Sequence, residues 1–386
     1  MSDISENPFE DKSQIKDEKK DVKQIAEITV DLLDKRYTEK NQKVLRGVHP
    51  KSHGCVKATF KINDDISEAY CVGLFANPGK EYSAIIRFSN ASVTVGHDLD
   101  NNENSSRGMA IKVLDIDKNE KFLDKDNGKR NQDFLMINTP VFAFSNSMDY
   151  LRLNQILLKN NDDPTEFFAP LQDQASFPPE VVASTLETFK VVSLIKSKPV
   201  ANPLGVQYFG AAPFLFGDDR VMRFTAKPSG EEQAQILPNP ADENYLRRAL
   251  LERMQQTQAV SFDFMIQVRG KGEDNLGIED ATTQWDETQY PFVKVASITI
   301  SCPQLEIDSV ENKSECEKLE YTPWHSLKAH QPLGSINRLR RKVYDASIDH
   351  RDNDDRDEDD GDEDDRGKGR RDKLKRDKGK HKRDKD

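Results

Sequence analysis

Apolar residues recur along this chain with two different periods. Val22, Ile25, Ile28, Leu32 and Leu33 fall three and four apart with Lys, Glu and Asp between them, the spacing of one helical face. An amphipathic helix is expected from Asp21, clamped onto the main domain. Val56, Ala58, Phe60 and Ile62 then alternate with Lys57, Thr59 and Lys61, the period of a half-buried strand. Further apolar runs follow at Ala84–Phe88, Met109–Leu114, Phe134–Phe144, Val221–Ala226, Val260–Val268 and Val293–Ile300. Polar or Gly, Pro and Asn turns separate them. Met148–Leu158 and Pro179–Leu194 read as inserted helices, and no internal repeat is present. Together these elements predict an α+β fold, a closed antiparallel β-barrel decorated by helices. Such closure removes sticky edges and can enclose a ligand cavity.

Polarity is concentrated at the two ends. Charged residues make up 32% of the 386, the formal net charge is -11 and the mean hydropathy is -0.79. Residues 1–20 lack apolar periodicity and are expected as a disordered arm. Asp349–Asp365 carries a net charge of roughly -10 and Arg366–Asp386 roughly +8, blocks that cannot bury a core. A disordered tail is therefore expected over 349–386, either solvating itself or docking an unknown partner, with one main domain over 21–348. An acidic balance argues against a nucleic-acid binder, because phosphate contacts need a basic face. No stretch reaches the roughly 20 apolar residues of a membrane helix, and the first twenty residues hold no signal-peptide core. A cytoplasmic protein is expected. Cys55, Cys71, Cys302 and Cys316 lie far apart and form no C-x-x-C pair. They read as reduced thiols rather than a disulfide framework, and with seven scattered histidines they suggest no zinc site.

Four segments could carry chemistry. Arg46-Gly47-Val48-His49-Pro50-Lys51-Ser52-His53-Gly54 places two histidines beside a turn, suited to a metal pair, a general base or plain surface positions. Ala84-Ile85-Ile86-Arg87-Phe88-Ser89 sets one arginine in an apolar strand, facing either outward or an anion. In Phe134-Leu135-Met136-Ile137-Asn138-Thr139-Pro140-Val141-Phe142 a polar Asn interrupts an apolar run, as a turn or as an inward amide. The fourth, Leu333 to Tyr344, puts Arg340 and Tyr344 four apart, on one side of a helix.

Taken in order, these segments resemble the catalase superfamily. The matching motifs are Arg46–Lys51, Arg87–Ser89, Arg107-Gly108-Met109-Ala110-Ile111-Lys112, Asn138–Phe142 and Arg340–Tyr344. The resemblance spans about Ile25 to Ser347. It is closest to the smaller catalase-like branch, through Pro332–Arg338, Ile278–Thr282 and Trp285-Asp286-Glu287. It implies a haem b cofactor with Tyr344 as axial iron ligand. Arg340, one turn earlier, would favour the phenolate. His49 would act as acid and base on the peroxide, with Ser89 orienting its ring and Val48 against the cofactor. Arg46 and Arg87 would pair with the haem propionates. Asn138 is the candidate for the family's distal amide. Aligned on Thr139-Pro140, however, that position falls on Ile137, and on a strand Asn138 points to the opposite face unless a bulge restores the phase. His53 is expected to tolerate replacement.

The resemblance implies a haem-dependent peroxide-processing oxidoreductase, catalase- or peroxidase-like, taking a peroxide or organic hydroperoxide. One alternative is a fatty-acid hydroperoxide isomerase of the allene oxide synthase type, since Ile137 would suit a bulky apolar substrate. Another is a non-catalytic catalase-like binding protein. A homo-oligomer is compatible with the resemblance.

Overall fold

A computed structural model describes residues 9–98, 106–118, 120–123, 130–197, 200–230, 242–270 and 277–359. Its strands are β1 (Ser52–Ile62), β2 (Glu81–Asn90), β3 (Arg107–Val113), β4 (Gln132–Ile137), β5 (Tyr208–Phe209), β6 (Phe214–Phe216), β7 (Arg220–Pro228), β8 (Val260–Gly270) and β9 (Val293–Ile300). Each neighbour pair is antiparallel, in the order β5-β4-β3-β2-β1-β9-β8-β7-β6. A further pairing of β5 with β7 joins the two ends, so eight strands close into a barrel and β6 extends β7. Strand alternation sends Phe60, Ile86, Phe88, Ile111, Phe134, Phe224, Phe264 and Ile298 inward, where all are buried. Phe134 packs 4.7 Å from Phe264 and 5.0 Å from Phe224, centroid to centroid. Truncating one such ring to alanine costs about 3–5 kcal/mol. The barrel interior is thus filled by aromatic side chains. Arg87, Ser89, Gly108 and Ile137 alternate with these core residues and lie on the outer face, so any ligand they serve sits against the outside of the barrel.

The helices are α1 (Lys12–Asp17), α2 (Lys19–Arg36), α3 (Ser147–Lys159), α4 (Ala169–Gln172), α5 (Pro179–Lys196), α6 (Tyr245–Met254), α7 (Val310–Lys318) and α8 (Gly334–Asp359). Among the described residues no helix is long and apolar enough to cross a membrane. α2 buries Val22, Ile25, Ile28, Leu32 and Leu33, the stripe its period predicts. It packs along α3 and α8.

Over the residues described, helices reach into both charged ends. The chain is helical from Lys12, and the segment before α2 caps α8. Glu10 accepts from Gly334 N at 2.9 Å, and Glu10, Glu18 and Glu279 all pair with the buried Arg338. Carboxylates at a helix N-terminus are favourable, but partners more than 300 residues apart leave no local pattern. Gly334 (φ +83) is required there, since a Cβ would fall 1.9 Å from Ile278 O. At the other end α8 continues to Asp359, with Arg351 and Asp354 buried; the remainder of the expected tail lies outside the described residues. The thiol reading is corrected. Cys55 on β1 and Cys316 on α7 form a disulfide across 261 residues, whereas Cys71 and Cys302 are not disulfide-bonded.

Candidate functional site

The loop between α2 and β1 carries His49 and is held from above by α8. Gly47 N donates to Ser347 Oγ at 3.0 Å, and Val44 N to Asp354 Oδ2 at 3.0 Å. His49 itself has φ 59, a left-handed conformation uncommon for a residue with a side chain. Its N–H bonds Ser92 O at 3.1 Å. This turn lays the imidazole on the outer face of the barrel, with Nδ1 2.9 Å from Ser89 Oγ. Beneath the ring lies Gly108. A Cβ there would stand 2.5 Å from His49 Nδ1 and 2.7 Å from Ser89 Oγ, so only glycine permits this approach.

Register extends that contact into a row. Ser89 pairs with Gly108 and Gly108 with Ile137, and directly opposed residues of antiparallel strands point to the same face. The β3–β4 ladder runs without a bulge. Ile137 therefore lies on the histidine's side of the sheet. Asn138, past the strand end, is engaged elsewhere: its Oδ1 accepts from Arg107 N at 2.7 Å and its N donates to Arg107 O.

Behind the row is a buried polar network. Asn90 Oδ1 accepts from Arg107 Nη1 and His53 Nε2, each at 2.9 Å, and Asn90 Nδ2 donates to Asp98 Oδ1 at 2.8 Å. Lys51 Nζ lies 2.9 Å from the same Asp98 oxygen. Residues 51, 53, 90, 98 and 107 thereby lock the His49 loop to β2 and β3. The expectation that His53 tolerates replacement does not suit this environment: the ring is fully buried, and burial pushes its pKa down to about 3. Burial and the charges of Arg87, Arg340 and Arg46 push His49 down to about 3 as well. It is the neutral imidazole.

Arg46 and Arg87 converge on a single carboxylate among the described residues, Glu317, at 3.8 and 3.5 Å. Arg46 Nη2 also caps the C-terminus of α7, donating to the carbonyls of Cys316, Glu317 and Leu319 at 2.8–3.1 Å, a favourable place for a cation. The Cys55–Cys316 disulfide ties that end of α7 to β1. Arg46 Nε and Arg87 Nε and Nη2 are buried without a hydrogen-bond partner. Burial and mutual repulsion weigh against both guanidinium charges, and Arg351 adds to the repulsion on each. Three cations against one carboxylate leave an uncompensated positive patch, which calls for an anion.

Sequence reasoning missed Arg351 because it sits in what reads as the acidic tail. The available signal was its distance of seven from Tyr344, two turns along one helix face. On that face Arg340 Nη2 lies 3.4 Å from Tyr344 Oη, with its guanidinium 5.5 Å from the ring. Tyr344 packs with Phe142, Phe144 and Tyr150 against the Val22–Ile25 face of α2. Val48, His49, Ile137, Phe142, Tyr150 and Tyr344 each keep part of their surface accessible. The structure thus brings His49 and Ser89 together, and Arg46 with Arg87, and Arg340 with Tyr344. It leaves the Asn138 amide on β3.

Comparisons with known proteins bear on the family and the fold. The family model for catalase matches residues 28–325. Catalase A of Staphylococcus xylosus is 23% identical over 271 residues, covering 66% of this chain and 50% of that protein; the chain spans about half the length of this curated relative. Among solved structures, a fungal catalase superposes with a TM-score of 0.61 at 16% identity, over 81% of this chain and 60% of that one. Catalase A from Saccharomyces cerevisiae gives a TM-score of 0.60 at 17% identity, over 81% and 62%. The chain belongs to the catalase family.

Proposed function

We propose that the chain binds haem b between His49 and Tyr344 and is a peroxide-processing oxidoreductase. The observation that carries this reading is the set of buried guanidinium nitrogens that make no hydrogen bond, Arg46 Nε and Arg87 Nε and Nη2, with Glu317 alone among the described residues facing them at 3.5–3.8 Å. They fit the two carboxylates at one edge of a haem. Gly108 fits too, by letting His49 lie flat on the sheet. When bound, haem supplies the redox-active iron that exchanges electrons with the O–O bond. Tyr344 would hold it through its phenolic oxygen, with Arg340 Nη2 3.4 Å from that atom. Val48, next to His49, would contact the macrocycle.

The neutral His49 takes a proton from the near oxygen of a peroxide and returns it to the far one, so that water or an alcohol leaves as the bond breaks. Ser89 engages Nδ1 and leaves Nε2 for the substrate. Ile137 gives this space an apolar wall where the family's distal amide would stand. That favours an organic hydroperoxide over hydrogen peroxide, and it supports a second reading, isomerisation of a fatty-acid hydroperoxide in the manner of the smaller catalase-like branch. Haemin titration tests the common premise. A Soret band that saturates near one equivalent is expected, and a chain that takes up no haemin would overturn the reading.

A further inference from the structure

Tyr321 has no role in the reading above, yet its hydroxyl has the same unmet need as the arginines beside it. The residue lies in the segment joining α7 to α8, where that segment crosses the outer face of the barrel. Its neighbours are pinned on both sides: Leu319 O accepts from Arg46 Nη2 at 2.8 Å, and Thr322 N donates to Asp133 Oδ2 at 3.2 Å. The ring is 7% exposed, with Lys112 Nζ 5.0 Å from its centroid. Its Oη is buried and has no hydrogen-bond partner. Such groups are rare in folded proteins and call for a partner. Arg87, Arg46 and Glu317 all act electrostatically on this phenol, but burial and the Asp133 charge dominate and hold it well above the usual phenol value. Tyr321 therefore stays protonated and is a donor.

Four buried donor atoms, Arg46 Nε, Arg87 Nε, Arg87 Nη2 and Tyr321 Oη, thus make no hydrogen bond in the protein; Glu317 faces Arg46 Nε and Arg87 Nη2 only at 3.8 and 3.5 Å, and both arginines act on the Tyr321 phenol. One multi-oxygen anion meets all four needs; a water meets one or two. We infer that Tyr321 is a further cofactor-binding residue, a neutral donor to the haem carboxylates beside Arg46 and Arg87; this rests on the haem reading. A phenol suits the place, since it adds a hydrogen bond without adding a fourth charge to an already repulsive cluster.

The test is Tyr321→Phe, which keeps the ring and removes only the hydroxyl. Haem loss to excess apomyoglobin, followed by absorbance, should quicken by about 12- to 160-fold, the range for one hydrogen bond to a charged acceptor. With haem dimethyl ester, which carries no carboxylates, wild type and variant should lose the cofactor at equal rates. The haem-free variant should melt no lower than haem-free wild type, because the hydroxyl has no protein partner to lose. Unchanged haem loss, an equal effect on the ester, or a lower melting temperature of the haem-free variant would each overturn the assignment while leaving the haem reading intact. A wild type that takes up neither porphyrin overturns both.

Discussion

Ile137 stands directly across the β3–β4 ladder from Gly108, the glycine whose missing Cβ makes room for the His49 ring. An apolar side chain therefore occupies the place from which an amide could hold a peroxide beside the histidine. Wild-type protein is expected to release little oxygen from hydrogen peroxide. Ile137→Asn should raise oxygen release several-fold, a hydrogen bond being worth ~1 kcal/mol, and should slow turnover of a bulky hydroperoxide. Asn138→Ala should instead lower the melting temperature, because it removes the acceptor of Arg107 N. Oxygen-electrode and lipid-hydroperoxide assays on both variants decide the matter; if neither substitution shifts either activity, this row does not border the substrate.

Gly108→Ala should be far more damaging than its size suggests. The new methyl would meet both His49 and Ser89 at under 3 Å, so the imidazole must leave its seat. Haem uptake should persist, while peroxide consumption falls toward the 10²–10⁴-fold loss typical of a missing acid–base group. His49→Ala should fall as far. Full activity in Gly108→Ala would remove the seated ring from the mechanism.

The proximal side separates by charge. Tyr344→Phe deletes the proposed oxygen ligand on α8 and should change the ferric absorption spectrum or abolish retention. Arg340→Ala leaves the oxygen in place and should only weaken binding. An unchanged spectrum in Tyr344→Phe would assign the ligand elsewhere.

His53 gives a pH signature independent of any cofactor. An unfolded chain protonates it near the ordinary value of about 6.5, whereas the folded ring holds out to about 3. A folded value below the unfolded one means that its stability is full above about 6.5 and is lost as pH falls toward 3. This group alone should cost roughly 2 kcal/mol between pH 7 and pH 5, read as a falling urea midpoint. His53→Gln can still donate to Asn90, and it should flatten that slope. A variant with the wild-type slope would place the proton uptake on other groups.

Local pattern revealed the elements whose burial is one-sided or continuous, such as α2, β1, β8 and β9. It could not reveal β5, two residues long, although Tyr208 and Phe209 close the barrel by reaching from β4 to β7. Phe134–Phe144 reads as one apolar run, but the strand ends at Ile137 and the chain turns away through Asn138-Thr139-Pro140. The motif residues of the site are legible because each has a recognisable chemistry at a fixed spacing. Arg351 and Tyr321 are not, since an acidic surrounding hides one and nothing but its missing partner marks the other. The Cys55–Cys316 link and the carboxylates around Arg338 join positions hundreds of residues apart, where periodicity says nothing.

Those carboxylates also set an order of events. Glu10 and Glu18 leave the ribosome early and stay without their cation until Arg338 follows more than 300 residues later, on the helix that also brings Tyr344. Until then the barrel strands can pair and α2 can pack on α3, but α2 lacks its second partner, α8. The site is therefore complete only once α8 docks, and α8 follows the last barrel strand in chain order.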